Sequence, residues 1–295
     1  MNSFKGMGVA LVTPFNSEGD VDYTSLREIV EYQITSGADF LAVLCTTAET
    51  PTLSPEEKNK IKKFVLSTVH GRVPIVLGCG GNNTREIVKE LKTRDWTGID
   101  GILSVVPYYN KPNQEGLFRH FSAIAEASPL PILLYNVPGR VGVNMATETT
   151  LKLAHKYKNI VGIKEASGNF DQIDEIIKNR PKGFVVLSGD DSITYPLITM
   201  GAEGVISVIG NAYPKEFSQM VHLALSGQFE AALPIHRMFK ELFSLLFVDG
   251  NPAGVKALLH AMGMCENVLR LPLVPTRIKT FKQIQNIQLK LSHIA

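Results

Sequence analysis

Eight short apolar runs recur along the first two-thirds of the chain, and they constrain the fold more than any other feature. They read GVALVTPF (8–15), ADFLAVLCT (38–46), PIVLGCG (74–80), GILSVV (101–106), PILLYN (131–136), NIVGIKEAS (159–167), FVVLSGD (184–190) and GVISVIG (204–210). Each is rich in Val, Ile and Leu with little polar alternation, the pattern of parallel strands buried on both faces. Amphipathic stretches of helical period separate them. Residues 22–36 carry Leu26, Ile29, Val30 and Ile34, and residues 55–70 carry Ile61, Phe64, Val65 and Leu66. The second of these opens with Ser54-Pro55-Glu56-Glu57, an N-cap followed by Pro at the first helical position and acids in the first turn. A doubly wound sheet would alternate in the same way. Its dinucleotide fingerprint is missing, however: Gly78-Cys79-Gly80-Gly81 is not GxGxxG, and there is no Walker sequence. Eight units in about 210 residues predict an α/β fold of the (β/α)8 TIM-barrel type.

Beyond the eighth helix, expected over 214–226, three helical stretches follow without strands, at about 229–248, 252–262 and 276–294. They predict a small C-terminal three-helix domain. The expected division is a catalytic barrel over 1–225 and a helical domain over 226–295. A chain of 295 residues buries a large core without needing a disulfide or metal to hold it.

Charge and cysteine usage narrow the classes of function. Lys and Arg total 30 against 28 Asp and Glu, a net charge of +2 with no basic run, so nucleic acid and membrane surfaces are not expected partners. Cys45, Cys79 and Cys265 are odd in number, lie in or beside apolar stretches and form no CxxC pair, as reduced structural thiols do. No uncharged stretch approaches the roughly 20 residues that span a bilayer. The first fifteen residues lack the features of a signal peptide. The expected location is the cytoplasm.

In such a barrel, chemistry sits at the C-terminal ends of the strands. Lys164 stands out there, within Ile160-Val161-Gly162-Ile163-Lys164. Simple alternation puts 160, 162 and 164 on one strand face, and Gly162 is expected to leave space beneath the lysine. Burial favours a neutral amine, the form that a Schiff-base lysine needs. The alternative is a structural lysine paired with a strand carboxylate such as Asp190. Tyr135 ends the neighbouring strand, either as a proton shuttle or as a core-capping phenol. Thr46 and Thr47 offer hydroxyls and loop amides suited to a carboxylate, or ordinary helix capping. Tyr108 and Tyr109, flanked by Pro107 and Pro112, have the look of an interface. Arg140, after a Pro-Gly turn, is either solvated or a bidentate partner for a carboxylate. The seven histidines never fall two to five apart and none lies on a strand end, HExxH and GxSxG are absent, and Cys45 has no strand-end histidine to activate it. Lysine chemistry without metal or organic cofactor remains.

Six motifs carry a resemblance to a known family. They are Thr46-Thr47-Ala48-Glu49, Pro107-Tyr108-Tyr109-Asn110, Tyr135-Asn136-Val137-Pro138-Gly139-Arg140, Gly162-Ile163-Lys164-Glu165-Ala166-Ser167, Leu187-Ser188-Gly189-Asp190-Asp191 and Gly204-Val205-Ile206-Ser207-Val208. In this order, from about Gly8 to Pro275, the chain resembles the pyruvate-dependent class I aldolases, the family of dihydrodipicolinate synthase and N-acetylneuraminate lyase. Thr46-Thr47, Arg140 and the Tyr-Tyr-Asn loop are similar to the synthase branch. The other branch, with the 2-keto-3-deoxy sugar acid lyases, is the nearest alternative; a catalytically silent metabolite-binding regulator is a remoter one.

The resemblance implies a lyase of diaminopimelate and lysine biosynthesis. Lys164 would form the Schiff base with pyruvate, which then adds to aspartate semialdehyde. Tyr135, Thr46 and a neighbouring subunit's Tyr109 would relay protons. Thr47 would bind the pyruvate carboxylate, Arg140 that of the semialdehyde, and the backbone of Gly189 and Ile206 would line the pocket. A homotetramer built as two tight dimers is implied. Three residues depart from the family pattern: Cys45 and Ala48 replace glycines, and Val141 replaces a common threonine. In lysine-inhibited members a dimer-interface pocket binds lysine through a histidine. Here Lys58 takes that position and Pro55 takes another histidine's, with Asn82, Glu86 and Tyr108 matching the rest. A cation at 58 predicts weak or absent lysine inhibition.

Overall fold

The computed structural model describes residues 4–292. Its centre is a closed barrel of eight parallel strands in sequential order. They are β1 (Gly6–Ala10), β2 (Phe40–Val43), β3 (Ile75–Gly78), β4 (Gly101–Val105), β5 (Ile132–Asn136), β6 (Ile160–Glu165), β7 (Val185–Ser188) and β8 (Gly204–Ser207). Closure runs through Gly6↔Gly204 to Val9↔Ser207. No strand is left with an edge, which removes the unpaired backbone groups an open sheet exposes.

Helices α1 (Tyr23–Thr35), α2 (Pro55–Val69), α3 (Thr84–Thr93), α4 (Gln114–Ala127), α5 (Pro138–Val141), α6 (Thr147–Lys156), α7 (Phe170–Asn179), α8 (Asp191–Thr199) and α9 (Pro214–Leu225) connect and follow the strands. The local chemistry sets their starts. Asp22 accepts from the amides of Thr24 and Ser25 to begin α1, and Ser54 and Glu57 form a reciprocal capping box at α2. The C-terminal segment adds α10 (Phe229–Met238), α11 (Lys240–Leu245), α12 (Ala253–Ala261) and α13 (Ile278–Ser292). The helix expected over 229–248 is two helices that meet at Phe239. Of the last expected helix, residues 293 and 294 lie outside the described residues. One apolar cluster joins barrel residues Val9, Leu41 and Phe217 to Phe239, Leu258 and Ile284 of the C-terminal segment.

Two expectations about β6 are corrected. Ile132 pairs with Ile160 but Leu133 pairs with Gly162, so Val161 is an extra residue in the ladder. Paired residues face the same side of a sheet, so Gly162 and Lys164 follow Leu133 and Tyr135, while Ile160 follows Ile132. Ile160 therefore does not share their face. Nor does Gly162 leave open space. A Cβ there would lie 2.4 Å from Val185 Cγ2 and 2.6 Å from the Val185 carbonyl oxygen. The glycine lets β6 and β7 approach closely.

Candidate active site

Lys164 and Tyr135 are cross-strand partners at the C-terminal ends of β6 and β5. Lys164 is 4% exposed and Tyr135 6%. The lysine Nζ lies over the tyrosine ring, 4.4 Å from its centroid. No carboxylate lies within ion-pair distance of Lys164 among the described residues. Asp190, the structural alternative, is occupied elsewhere: it caps α8, accepting from the amide and hydroxyl of Ser192 at 2.8 and 2.7 Å. Gly189 is needed beside the lysine, because a Cβ there would sit 3.1 Å from Lys164 Cε and 2.6 Å from Ala166 Cβ.

Outward-facing neighbours brace the pair. Asn136 and Glu165, the next partners along the two strands, are both fully buried. Asn136 Nδ2 donates to Glu165 Oε1, and Gln172 Nε2 and Ser167 Oγ donate to the same carboxylate at 3.0 and 2.6 Å. Burial pushes the Glu165 pKa above its ordinary value, and these donors pull against it. The bonds lock the orientation of both strand ends.

Thr46 and Thr47 open a one-turn 3-10 helix, Thr46–Ala48, directly after β2. The chain enters it through Leu44 at φ 55° and leaves through Glu49 at φ 54°. Those are left-handed values that ordinary side chains resist. Neither of the residues replacing glycine is strained: Cys45 has φ −98°, and Ala48 is not among the positive-φ residues. Cys45 is buried, its thiol pushed up to about 11 by desolvation, with the charge of Lys164 acting in the opposite direction. All three cysteines are free and buried.

Ile206 is buried on β8. The next loop is tied back by Asp191, whose buried carboxylate accepts from the amides of Val208 and Ile209 at 3.0 and 2.8 Å and has its pKa raised to about 6 by burial. Arg140 is exposed at the end of α5, a short helix rather than the expected turn, with Val141 buried beneath it. Tyr109 is 89% exposed at φ 72°, and Tyr108 is 45% exposed. The residues of the expected lysine pocket come together in two pairs. Lys58 and Glu86 line one groove between α2 and α3, and Asn82 donates to the Tyr108 carbonyl at 3.2 Å.

The C-terminal segment brings residues to the site that strand-end reasoning missed. Asn251 Nδ2 donates to Thr47 Oγ1 at 3.0 Å. Lys256 Nζ pairs with Glu49 Oε1 at 2.5 Å, both side chains fully buried. Arg270 bonds Glu49 through its backbone amide and Glu57 through its guanidinium. A lysine within the apolar run Ala253-Gly254-Val255-Lys256-Ala257-Leu258-Leu259 was the one visible signal.

A parallel eight-stranded barrel with a buried lysine and tyrosine adjacent at its strand ends is the frame of an aldolase-type synthase. The sequence pattern of the Dihydrodipicolinate synthetase family matches residues 3–290, and the chain belongs to that family. It is 64% identical over 283 residues to a 4-hydroxy-tetrahydrodipicolinate synthase of Phocaeicola vulgatus, covering 96% of this chain and 95% of that one. The dihydrodipicolinate synthase of Aquifex aeolicus superposes with a TM-score of 0.94 at 42% identity, covering 98% of each chain. The chloride-inhibited dihydrodipicolinate synthase of Acinetobacter baumannii complexed with pyruvate superposes with a TM-score of 0.95 at 39% identity, covering 99% of this chain and all of that one.

Proposed function

We propose that the chain is a 4-hydroxy-tetrahydrodipicolinate synthase, condensing pyruvate with L-aspartate 4-semialdehyde in diaminopimelate and lysine biosynthesis. The observation that carries this reading is the buried, carboxylate-free Lys164 lying against Tyr135. The Lys164 amine attacks the ketone carbon of pyruvate, and loss of water gives the imine. Removal of a methyl proton converts it to an enamine, whose carbon adds to the aldehyde. The amine of the semialdehyde then attacks the former ketone carbon and displaces Lys164. Protonation of the departing hydroxyl and deprotonation of the methyl group fall to Tyr135 and Thr46, with Tyr109 from a second copy completing the relay. Thr47 holds the pyruvate carboxylate, the backbone at Gly189 and Ile206 lines the pocket, and Arg140 receives the carboxylate of the semialdehyde. The covalent lysine makes a separate cofactor unnecessary.

The exposed Tyr109 in its left-handed loop supports an assembly in which it acts in trans, a homotetramer of two tight dimers. The expected barrel over 1–225 carries the chemistry, and the segment from 226 packs against it as far as it is described, to Ser292. The location that fits this activity is the cytoplasm. A coupled assay tests the substrate assignment. Turnover with pyruvate and aspartate semialdehyde, and none with N-acetylneuraminate or 2-keto-3-deoxy sugar acids, is the expected result. The reverse pattern would move the chain to the lyase branch.

A further inference from the structure

Asn251 lies between α11 and α12, outside the barrel sequence, yet its side chain ends at a hydroxyl of the site. It is 7% exposed, Thr47 is 2% exposed, and Nδ2 reaches Thr47 Oγ1 at 3.0 Å. Water has little access with which to replace this bond. A threonine hydroxyl holds one proton and two lone pairs. Asn251 Nδ2 donates to Thr47 Oγ1, which therefore accepts, while Asn251 Oδ1 is buried with no hydrogen-bond partner among the described residues. The hydroxyl proton is then directed away from Asn251 and is free for another acceptor. The turn bearing Thr47 is held from the same side at a second point, where the carboxylate of Glu49 meets Lys256 Nζ and the Arg270 amide. Lys256 Nζ also donates to the Val268 carbonyl at 2.9 Å, which fixes the ammonium from behind.

We propose that Asn251 is a positioning residue for the 2-oxo acid: by donating to Thr47 Oγ1 it fixes the Thr47 hydroxyl as a donor to the substrate carboxylate. The inference rests on the reading of Thr47 as the carboxylate-binding residue. It gives the C-terminal segment a part in substrate affinity as well as in packing. An alanine at 251 leaves the hydroxyl free to rotate. An aspartate at 251 keeps the shape but reverses the polarity, since an ionised carboxylate accepts the Thr47 proton and repels the incoming carboxylate.

The test measures the pyruvate concentration that half-saturates borohydride trapping on the full-length protein, with KM for aspartate semialdehyde and the thermal midpoint recorded alongside. Asn251→Ala is expected to raise the pyruvate half-saturation about tenfold, the equivalent of one charge-assisted hydrogen bond, with the semialdehyde KM unchanged. Asn251→Asp, nearly isosteric and thus informative even if the alanine variant fails to fold, is expected to raise it further. Thr47→Val is expected to raise it as well, and Asn251→Ala added to Thr47→Val is expected to cost nothing more, because the two act as one unit. Additive effects in the double variant overturn the proposal, as does an unchanged half-saturation in Asn251→Asp. A wild-type adduct that Thr47→Val leaves unaffected overturns it while sparing the Schiff-base reading. No adduct in the wild type overturns both.

Discussion

Lys164 Nζ lies over the face of its cross-strand partner Tyr135, 4.4 Å from the ring centroid. The negative face of the ring would stabilise the iminium proposed to form at that nitrogen. In the proposed mechanism the Tyr135 phenol is the proton carrier beside that nitrogen. Ring and hydroxyl do separable work. Tyr135→Phe keeps the packing and removes the proton carrier, so kcat is expected to fall about 10²–10⁴-fold with an unchanged thermal midpoint. Steady-state kinetics check this, and a loss below tenfold contradicts it.

The buried pair Lys256–Glu49 spans the junction between barrel and C-terminal helices. Burial pushes the Lys256 pKa below its ordinary value, while Glu49 pulls the other way. Removing one partner leaves a bare charge in the core. Lys256→Met or Glu49→Gln is expected to cost about 3–5 kcal/mol, seen as a clear fall in the thermal midpoint, with the double variant less unstable than either single one. Single variants as stable as the wild type would contradict this.

His222 Nε2 and Asp39 Oδ2 are 2.7 Å apart, and the same carboxylate oxygen accepts from the Met7 amide at the start of β1. The hydrogen bond to Asp39 raises the His222 pKa above its ordinary 6.5. A histidine held above its unfolded value stabilises fully below that value and loses the contribution as pH rises through the folded one. The thermal midpoint of the wild type should therefore fall relative to that of His222→Gln as pH rises from below 6.5 through this range. The effect is small, because the side chain is 48% exposed. Parallel pH profiles for the two proteins would contradict the linkage.

Lys58 lines its groove with Lys62, Lys63, Lys89 and Arg94, five cations against Glu86, Glu90 and Asp95. That excess disfavours a ligand bearing two ammonium groups. Free lysine is expected to leave the rate unchanged through the sub-millimolar range, and half-inhibition within it contradicts the expectation.

The barrel was legible because fully buried parallel strands are apolar throughout, but the strand ends were not. The run 8–15 extends past β1, which stops at Ala10, because Leu11, Val12 and Thr13 stay buried after the ladder ends. Apolarity reports burial, whereas a ladder needs pairing. Lys164, Tyr135 and Thr47 stood out as candidates because chemistry sits at strand ends in this architecture. Asn251 did not, since its bond to Thr47 joins residues 204 apart and local periodicity carries no trace of that contact. The extra residue Val161 was hidden for a related reason: it becomes visible only through the register with β5.

The most direct measurement is borohydride reduction in the presence of pyruvate, followed by peptide mass mapping. The account predicts one pyruvate-derived adduct, located on Lys164 and lost in Lys164→Ala with the fold intact. An adduct on another lysine, or none at saturating pyruvate, would contradict it.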